Sequence, residues 1–454
     1  MLLLSCTVST TSHATQVGSI FSGPASADAL VSYYNPAGMT LLSKTHGVVF
    51  GAASFLRLQY QRSSPSLLDG SIYPQAEVFV TKPAPALGFV TDAGSKRWRL
   101  GLSVSLPLLE GGSWAETYEG RPASTRYFAL QARLGKFLIS PAVAYKITPW
   151  LSVGAGLDVI GVLLSHEAFI DFGARTNQLL CKTSGYDQCQ LDSPFRREDP
   201  HYQGLTTIDG IGFSVGVNAG ILLTPRDDLR FGFGIHSGGP VTIPADIEVH
   251  VPASIASYMA THLASIELPE LKAKGDVALR MPLIFTAGVW WRVRPRLQLA
   301  ADLHFMRTSD TQVMVGNITE TSSALIGDQV LIKGRGDAML FGLRGSYLIG
   351  EKLRVALRVE YDVNTRPERF VSPISIDFHR ISLHAGLTWA ITKHIGLTLE
   401  VAHYLMFSHD VRMSTFAPNA LPTTAAEEGL DKPSPTGTYS AQADRVGLGL
   451  SFRF

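Results

Sequence analysis

Hydrophobic and polar residues alternate with a period of two along most of the chain. Residues 297–305, 353–361, 395–401 and 446–454 show the pattern most clearly. A period of two is that of a β-strand whose two faces meet different surroundings. One such strand also fits a soluble sandwich, but the series consists of long strands joined as hairpins. The alternation predicts about fourteen strands, at residues 46–60, 76–91, 97–107, 127–147, 150–168, 204–223, 229–248, 277–292, 296–314, 330–348, 352–365, 376–391, 394–412 and 438–454.

Short polar turns and long irregular segments alternate between these strands. Tight turns occur at residues 148–150, 224–228, 292–295, 350–352 and 392–394, and longer stretches at 108–125, 171–203, 250–275 and 414–437. Short turns at one end and long loops at the other are typical of outer-membrane β-barrels. Trp150, Trp290, Trp291 and Trp389 lie near strand ends, where such barrels carry an aromatic girdle. The predicted fold class is therefore all-β, a transmembrane antiparallel barrel spanning residues 46–454.

Composition agrees with a membrane barrel and excludes several other classes. The 454 residues carry a formal charge of +1, and 17% are charged, so nothing points to nucleic acid. No run of about 18 apolar residues occurs, which argues against membrane-spanning helices. A closed barrel is the other structure that satisfies every backbone polar group within a bilayer. The 42 glycines fall inside the apolar patterns, which suits crowded strands more than flexible linkers.

The first 45 residues do not alternate. Residues 1–14 resemble the end of an export signal with a cleavage site after Ala14, although the positive region is missing and the true start is expected upstream. Leu3-Leu4-Ser5-Cys6 also loosely resembles a lipoprotein box, which leaves a lipid anchor as an alternative. Residues 15–45 form a separate piece that is too small to fold alone and small enough to sit inside a barrel as a hatch.

Three cysteines are present, and two of them flank a polar loop. Cys6 would leave with the signal, whereas Cys181 and Cys189 are expected to form a disulfide in an exported protein. A zinc site is the alternative, but no second pair of ligands accompanies them. We therefore expect no metal and no cofactor.

The local sequence around Pro36 predicts a turn. Proline disfavours a helical conformation at the preceding residue, so a helix before it should stop at Asn35. Gly38 is expected to allow a positive φ. In a soluble protein the same four residues would make an ordinary helix-ending turn.

Several segments resemble the FadL/TodX family of outer-membrane transporters for hydrophobic compounds. Residues 28–39, DALVSYYNPAGM, resemble its hatch signature, and the resemblance covers most of residues 26–454. Segments that follow in family order are 126–130, 140–146, 151–156, 217–222 and 375–380, with the closing strand at 447–454. The chain departs from the family in a shorter segment before Asp28. Ile376 stands where a proline is usual, and His379 where a second acid is usual.

The resemblance implies a fourteen-stranded barrel plugged by an N-terminal hatch. Long-chain fatty acids or apolar aromatics would diffuse passively to an interior pocket and leave through a lateral opening beside an inward kink in the third strand. The residues implied are Asn35, Pro36, Ala37 and Gly38 at the hatch gate, and the stretch from Gly101 to Pro107 at the kink. The protein would be a monomer in the outer membrane of a Gram-negative bacterium. Its partners would be a hydrophobic ligand, membrane lipid and lipopolysaccharide, and the barrel-assembly machinery that reads the C-terminal strand.

The alternation also orients individual side chains. Val446, Leu448, Leu450 and Phe452 should face lipid, with Arg445 and Arg453 facing the lumen or the rim. Arg344, Arg354 and Arg358 should likewise face the lumen, with Glu360 pairing with one of them. A fatty-acid carboxylate needs a cationic or hydrogen-bonding partner, so these three arginines are head-group candidates.

Two other functions compete with transport of apolar compounds. An outer-membrane lipase or protease would need a nucleophile and a positioned base. No motif supplies them. His304 and Glu400 are expected to be polar side chains that line the lumen, which accounts for them without catalysis, so we expect no enzyme. An open porin for polar solutes would not need an apolar plug and would conduct ions well.

Overall fold

The computed structural model describes residues 17–174, 176–177, 195–262, 270–311, 313–321, 329–332, 334, 336–363, 365–414 and 434–454. The proposed signal residues and all three cysteines lie outside these ranges. The disulfide between Cys181 and Cys189 therefore stays a prediction.

A closed antiparallel β-barrel of fourteen strands forms the wall, which confirms the predicted fold. Each strand pairs with its neighbours in sequence, and the last pairs with the first from His46↔Arg453 to Arg62↔Gly437. Five strands consist of two segments. The strands are β1 His46–Arg62, β2 Ala76–Thr91, β3 Trp98–Ser113, β4 Gln131–Lys146, β5 Leu151–Asp171, β6 Gln203–Arg226, β7 Leu229–His236 with Pro240–His250, β8 Glu270–Arg280 with Leu283–Arg292, β9 Leu297–Arg307 with Val313–Thr321, β10 Gln329–Ile332 with Ala338–Ile349, β11 Leu353–Asp362, β12 Arg380–Ala390, β13 Ile395–Met406 with His409–Val411, and β14 Gly437–Arg453.

Side chains alternate between an apolar outer face and a lumen face, as the sequence predicts. On β14 the Leu448 side chain is 54% exposed while Arg445 is 1% exposed. Phe452, expected to face lipid, is half-buried, and Arg453 lies exposed at the rim. The expectation for Trp290 is wrong, because adjacent residues face opposite sides. Trp291 faces outward, whereas Trp290 is buried in the lumen beneath the Arg230 guanidinium.

Residues 17–42 form the described part of a hatch that lies inside the barrel. Its regular elements are the helical turn α1 Val31–Tyr34 and the 3-10 turn Pro36–Leu41, which packs against β3, β4, β5 and β6. A second α-helix, α2 Ala253–His262, follows β7. The remaining short elements are 3-10 turns at Pro200–Tyr202, Thr308–Thr311 and Glu368–Phe370, and a two-residue hairpin at residues 117–122. No helix in the described ranges is long and apolar enough to cross a bilayer.

The turn at Asn35 forms as predicted, but Gly38 serves another purpose. Asn35 has the extended angles φ −162° and ψ 98°, so α1 ends there, and Pro36 begins the 3-10 turn. The backbone of Gly38 does not adopt a positive φ, so that expectation is wrong. A β-carbon at this position would instead overlap the Val31 side chain. Glycine is needed at position 38 for the close packing of the two turns.

Candidate functional site

The half of the barrel interior nearer the long loops is apolar. It is filled by a cluster of buried side chains. These side chains come from the segment before β12 and from the inner faces of β1, β2, β4, β5, β6, β7, β8 and β14. Tyr33 of the hatch packs against this cluster, so the hatch is its floor. Ile376, which replaces the usual proline of the family, is 1% exposed and belongs to the cluster. Other members are Leu58, Val78, Leu138, Ile160, Ile208, Ile243, Val277 and Phe378.

A buried ion pair ties three long loops together above this apolar interior. Arg62 Nη1 lies 2.6 Å from Glu198 Oε1, and both side chains are almost fully buried. Glu198 Oε2 accepts hydrogen bonds from the Tyr73 hydroxyl (2.9 Å) and the Leu67 amide (2.7 Å). Arg126 donates to the Glu198 carbonyl oxygen at 2.8 Å. Glu198, in the loop after β5, therefore connects to the end of β1 and its loop through its carboxylate and to the loop after β3 through its main-chain carbonyl oxygen.

Glycines on the inner wall make room for the hatch backbone. A β-carbon at Gly234 would overlap the Tyr34 carbonyl oxygen, and one at Gly154 would lie 2.5 Å from the Ala37 nitrogen. Gly101 lies in regular pairing with Val90 and receives the Met39 side chain. Gly101 therefore belongs to the seat of the hatch rather than to an irregular part of β3. Similar close approaches occur at Gly88, Gly220, Gly232 and Gly386.

Charged lumen residues hold the hatch by its backbone. Glu400 accepts a hydrogen bond from the Ile20 amide at 2.6 Å, and Arg344 donates to the Ile20 carbonyl oxygen at 2.8 Å. Arg445 donates to the Gly18 carbonyl oxygen at 3.2 Å and lies 3.3 Å from Glu400. Hydrogen bonds that involve a charged group contribute roughly 1.5–3 kcal/mol each. Glu400 lies in the lumen, as the sequence predicts, and its partners are the hatch main chain and Arg445.

Asn35 joins the hatch to itself and to the wall. Its side-chain oxygen accepts from the Ala37 amide at 3.1 Å. Its side-chain nitrogen donates to the carbonyl oxygens of Pro24 and Ile221, both at 3.0 Å. The side chain is fully buried, so every one of these bonds is protected from water.

A serine, an aspartate and a histidine meet at the hatch, but they are not arranged for nucleophilic catalysis. Ser140 donates to Asp158 at 2.6 Å, and His236 Nδ1 lies 2.8 Å from the other Asp158 oxygen. The second ring nitrogen of His236 bonds the Tyr33 carbonyl oxygen. The serine thus bonds the carboxylate and not the base, and the histidine is occupied by the hatch. No group of three or more metal-ligating side chains occurs among the residues that the structure describes.

The three predicted arginines all lie on the lumen face, but in different surroundings. Arg358 is paired with Asp302 (2.7 Å) and Glu360 (2.6 Å) and is 2% exposed. Glu360 thus pairs with an arginine as predicted. Arg344 bonds the hatch, while Arg354 lies closest to the short turns and lines an open chamber below the hatch.

Part of β2 and part of β3 are not paired with each other beside the hatch, and this unpaired stretch is called the wall gap. Strands β2 and β3 pair only from Ala86↔Ser105 to Thr91↔Leu100, although β2 begins at Ala76 and β3 runs to Ser113. The pairing of β3 with β4 shifts by one residue between Ser105 and Leu108, at Pro107. Beyond that bulge, a β-carbon at Gly112 would lie 2.7 Å from the lumen-side Val80 side chain, so β3 bends inward.

Two prolines mark the same gap on the other strand. Pro83 and Pro85 lie in the part of β2 that pairs with β1 alone. Proline has no N–H group and is confined to strand edges, so the segment Lys82-Pro83-Ala84-Pro85 suits a strand with one neighbour. The kink region expected from the sequence did not include these prolines, although two prolines within a long alternating strand are a readable signal.

Comparisons with known proteins give the family and the fold. A sequence model of the family described as outer membrane protein transport protein (OMPP1/FadL/TodX) matches residues 6–454. The fold is similar to that of a Pseudomonas aeruginosa FadL homologue, with a TM-score of 0.74, 14% identity and full coverage of both chains. The Pseudomonas putida toluene transporter TodX gives 0.63 at 15% identity, with 96% of each chain covered. The Ralstonia pickettii toluene transporter TbuX gives 0.60 at 16% identity, with 95% of this chain and 98% of that chain covered. A search of curated proteins finds no match.

Proposed function

The chain belongs to the OMPP1/FadL/TodX family of outer-membrane transport proteins for hydrophobic compounds, and we propose that it takes up long-chain fatty acids or apolar aromatics by passive diffusion. The ligand would enter between the long loops at the cell surface, dissolve in the apolar interior and leave sideways through the gap between β2 and β3. The short turns would face the periplasm of a Gram-negative bacterium.

The observation that carries this proposal is the position of the wall gap. It lies on the long-loop side of the regular β2–β3 pairing, at the level of the apolar cluster and above the hatch floor. An apolar molecule that leaves there passes from protein interior to lipid without crossing water. A polar solute gains nothing from such a route, because the hydrocarbon core rejects it.

The hatch residues Asn35, Pro36, Ala37 and Gly38 are proposed to set the lower edge of this route. The 3-10 turn that they begin packs against β3 just below the bulge at Pro107. Small movements of this turn would change the size of the opening. Of the three head-group candidates, Arg354 is the one whose side chain has a buried nitrogen without a hydrogen-bond partner in the described structure.

We propose that the protein is a monomer, because every wall strand of the described closed sheet has neighbours from the same chain. The exposed apolar band would contact membrane lipid and lipopolysaccharide. The C-terminal strand, which closes the barrel against β1, is the segment proposed to be read by the barrel-assembly machinery.

The two competing functions predict different behaviour. A barrel enzyme would hydrolyse lipid, and the arrangement of Ser140, Asp158 and His236 does not favour it. An open porin would conduct ions well, whereas the hatch and its hydrogen bonds predict poor conductance. Purified protein that hydrolyses phospholipid, or that conducts as a wide pore, would favour one of these rivals.

The direct test is uptake by a strain that lacks the gene, with and without the wild-type protein. Radiolabelled oleate, hexadecane and toluene are the apolar probes, and a disaccharide is the polar control. We expect faster uptake of at least one apolar class and no change for the disaccharide. Toluene belongs in the panel because two similar solved structures are toluene transporters.

A further inference from the structure

A cationic chamber lies below the hatch, at the short-turn end of the barrel. Its volume is about 550 Å³, and residues 19–30 of the hatch form its roof. Its walls are nine successive strands, from β7 through β14 to β1. The hatch separates it from the apolar interior, so the proposed lateral route does not pass through it.

The charges that line the chamber are unbalanced. Asp28 is the only carboxylate among the described lining residues, and two histidines, His46 and His394, also line it. The six cationic lining residues are Arg230, Arg292, Arg344, Arg354, Lys393 and Arg453.

Two of these arginines have donors that no described group uses. Arg230 and Arg354 are half-buried and have no hydrogen-bond or ion-pair partner among the described residues. Arg344 by contrast donates to the Ile20 carbonyl oxygen, and Arg292 to the Asp227 carbonyl oxygen. The chamber therefore presents two guanidinium groups without described partners, and an anionic ligand could pair with them.

The walls also carry aromatic surface. Phe21, Phe50 and Trp290 line the chamber beside the arginines, and the Arg230 guanidinium lies 4.1 Å from the centre of the Trp290 ring. Arginine pairs well with a planar carboxylate, and aromatic rings cover an apolar chain. Both features together fit an amphipathic acid better than a bare inorganic anion.

We propose that this chamber binds the carboxylate of a small amphipathic acid from the periplasmic side, with Arg230 and Arg354 as the principal contacts and the aromatic residues around its chain. This site is independent of the lateral route and would remain if transport followed another path. Inorganic phosphate shares the oxyanion chemistry and is the alternative ligand that the test separates.

The test is calorimetric titration of the purified full-length protein in an uncharged detergent with hexanoate, hexan-1-ol and inorganic phosphate. We expect hexanoate to bind, hexan-1-ol to bind at least tenfold more weakly, and Arg354→Gln and Arg230→Gln each to weaken hexanoate at least tenfold. Arg226→Gln is the matched control, because Arg226 is exposed, pairs with Asp228 and does not line the chamber.

Diffraction from wild-type crystals soaked in 4-bromobutyrate gives a readout that does not depend on any variant folding. An anomalous bromine peak beside the Trp290 ring is expected. The proposal is overturned if no peak occurs in the chamber, if phosphate binds and hexanoate does not, or if the arginine variants bind hexanoate as the wild type does. If the purified protein binds hexanoate but the wild-type protein does not speed the uptake of any apolar probe by cells, the transport proposal alone is contradicted.

Discussion

Asn35 and the glycines of the wall show what single residues contribute and how far the sequence reveals them. Proline at position 36 predicted that α1 would end at Asn35, because that steric rule is local. The sequence did not reveal that Asn35 Nδ2 reaches Ile221, a residue 186 positions away. The abundance of glycine predicted crowding, but only the fold shows which glycines meet the hatch. Local rules are readable from sequence, whereas contacts between distant segments depend on the register of the whole barrel.

Gly234→Ala should dislodge the hatch. The new β-carbon would overlap the Tyr34 carbonyl oxygen, which also accepts a hydrogen bond from Thr286 at 2.7 Å. Overpacking of this kind costs on the order of 1–3 kcal/mol. We expect a higher single-channel conductance in planar bilayers. Gly51→Ala is the control, because a β-carbon there meets nothing within 4 Å. Equal conductance in the two variants would argue against a tightly seated hatch.

Asp28 should make hatch docking depend on pH. Burial raises the pKa of this hatch carboxyl from 3.8 to about 6, against the opposing effects of the Leu30 amide, the Arg344 charge and the Ser22 hydroxyl. The docked hatch therefore holds the proton more tightly than the undocked one. The resulting stabilisation is fully present below about pH 4 and is lost as the pH rises through about 6.

Conductance of the wild type should therefore rise between about pH 4 and pH 7, and Asp28→Asn should show a weaker dependence in that window. Planar-bilayer recordings at several pH values measure both. Superimposable pH curves for the two proteins would show that Asp28 does not control docking.

At the scale of whole elements, the alternation predicted the strands well and their irregularities poorly. All fourteen strands exist close to their expected positions, because lipid on one side and lumen on the other impose a period of two. Pro107 was included in the expected kink region, and the register shift lies there. Gly101 was included as well, yet it pairs regularly. A bulge depends on how three strands fit together, and no period in one strand encodes it.

The contacts of Glu198 hold three long loops together, and removal of its charge should loosen them. Glu198→Gln removes the charge that Arg62 pairs with in a buried site, and breaking such a pair costs roughly 3–5 kcal/mol. We expect faster amide hydrogen exchange in residues 63–75 and 195–202. Glu77→Gln is the control, since its pair with Arg57 is exposed and should matter little. Unchanged exchange in the Glu198 variant would mean that other contacts hold these loops.

For the whole molecule, three layers follow one another along the barrel axis. An apolar interior lies under the loops that Glu198 connects, and the hatch forms its floor. The cationic chamber lies below the hatch, at the short-turn end. Between β2 and β3 the regular pairing ends at Ala86↔Ser105, beside the first of these layers. The sequence indicated the barrel, the plug and the family. The order of the three layers along the axis was not readable, because it depends on how far each strand extends past its neighbours.

Deletion of Pro107 tests whether apolar molecules leave through the wall gap between β2 and β3. The deletion removes the extra residue of the bulge, so β3 can pair with β4 in one register and lie straight against β2. Pro107→Ala is the matched control, because it keeps the residue count and therefore the bulge. Both proteins should fold as barrels, checked by heat-dependent mobility on gels. Uptake of the apolar probe that the wild type carries should fall to the level of the empty strain with the deletion and stay near wild type with Pro107→Ala. Wild-type uptake by a folded deletion variant would contradict the lateral route.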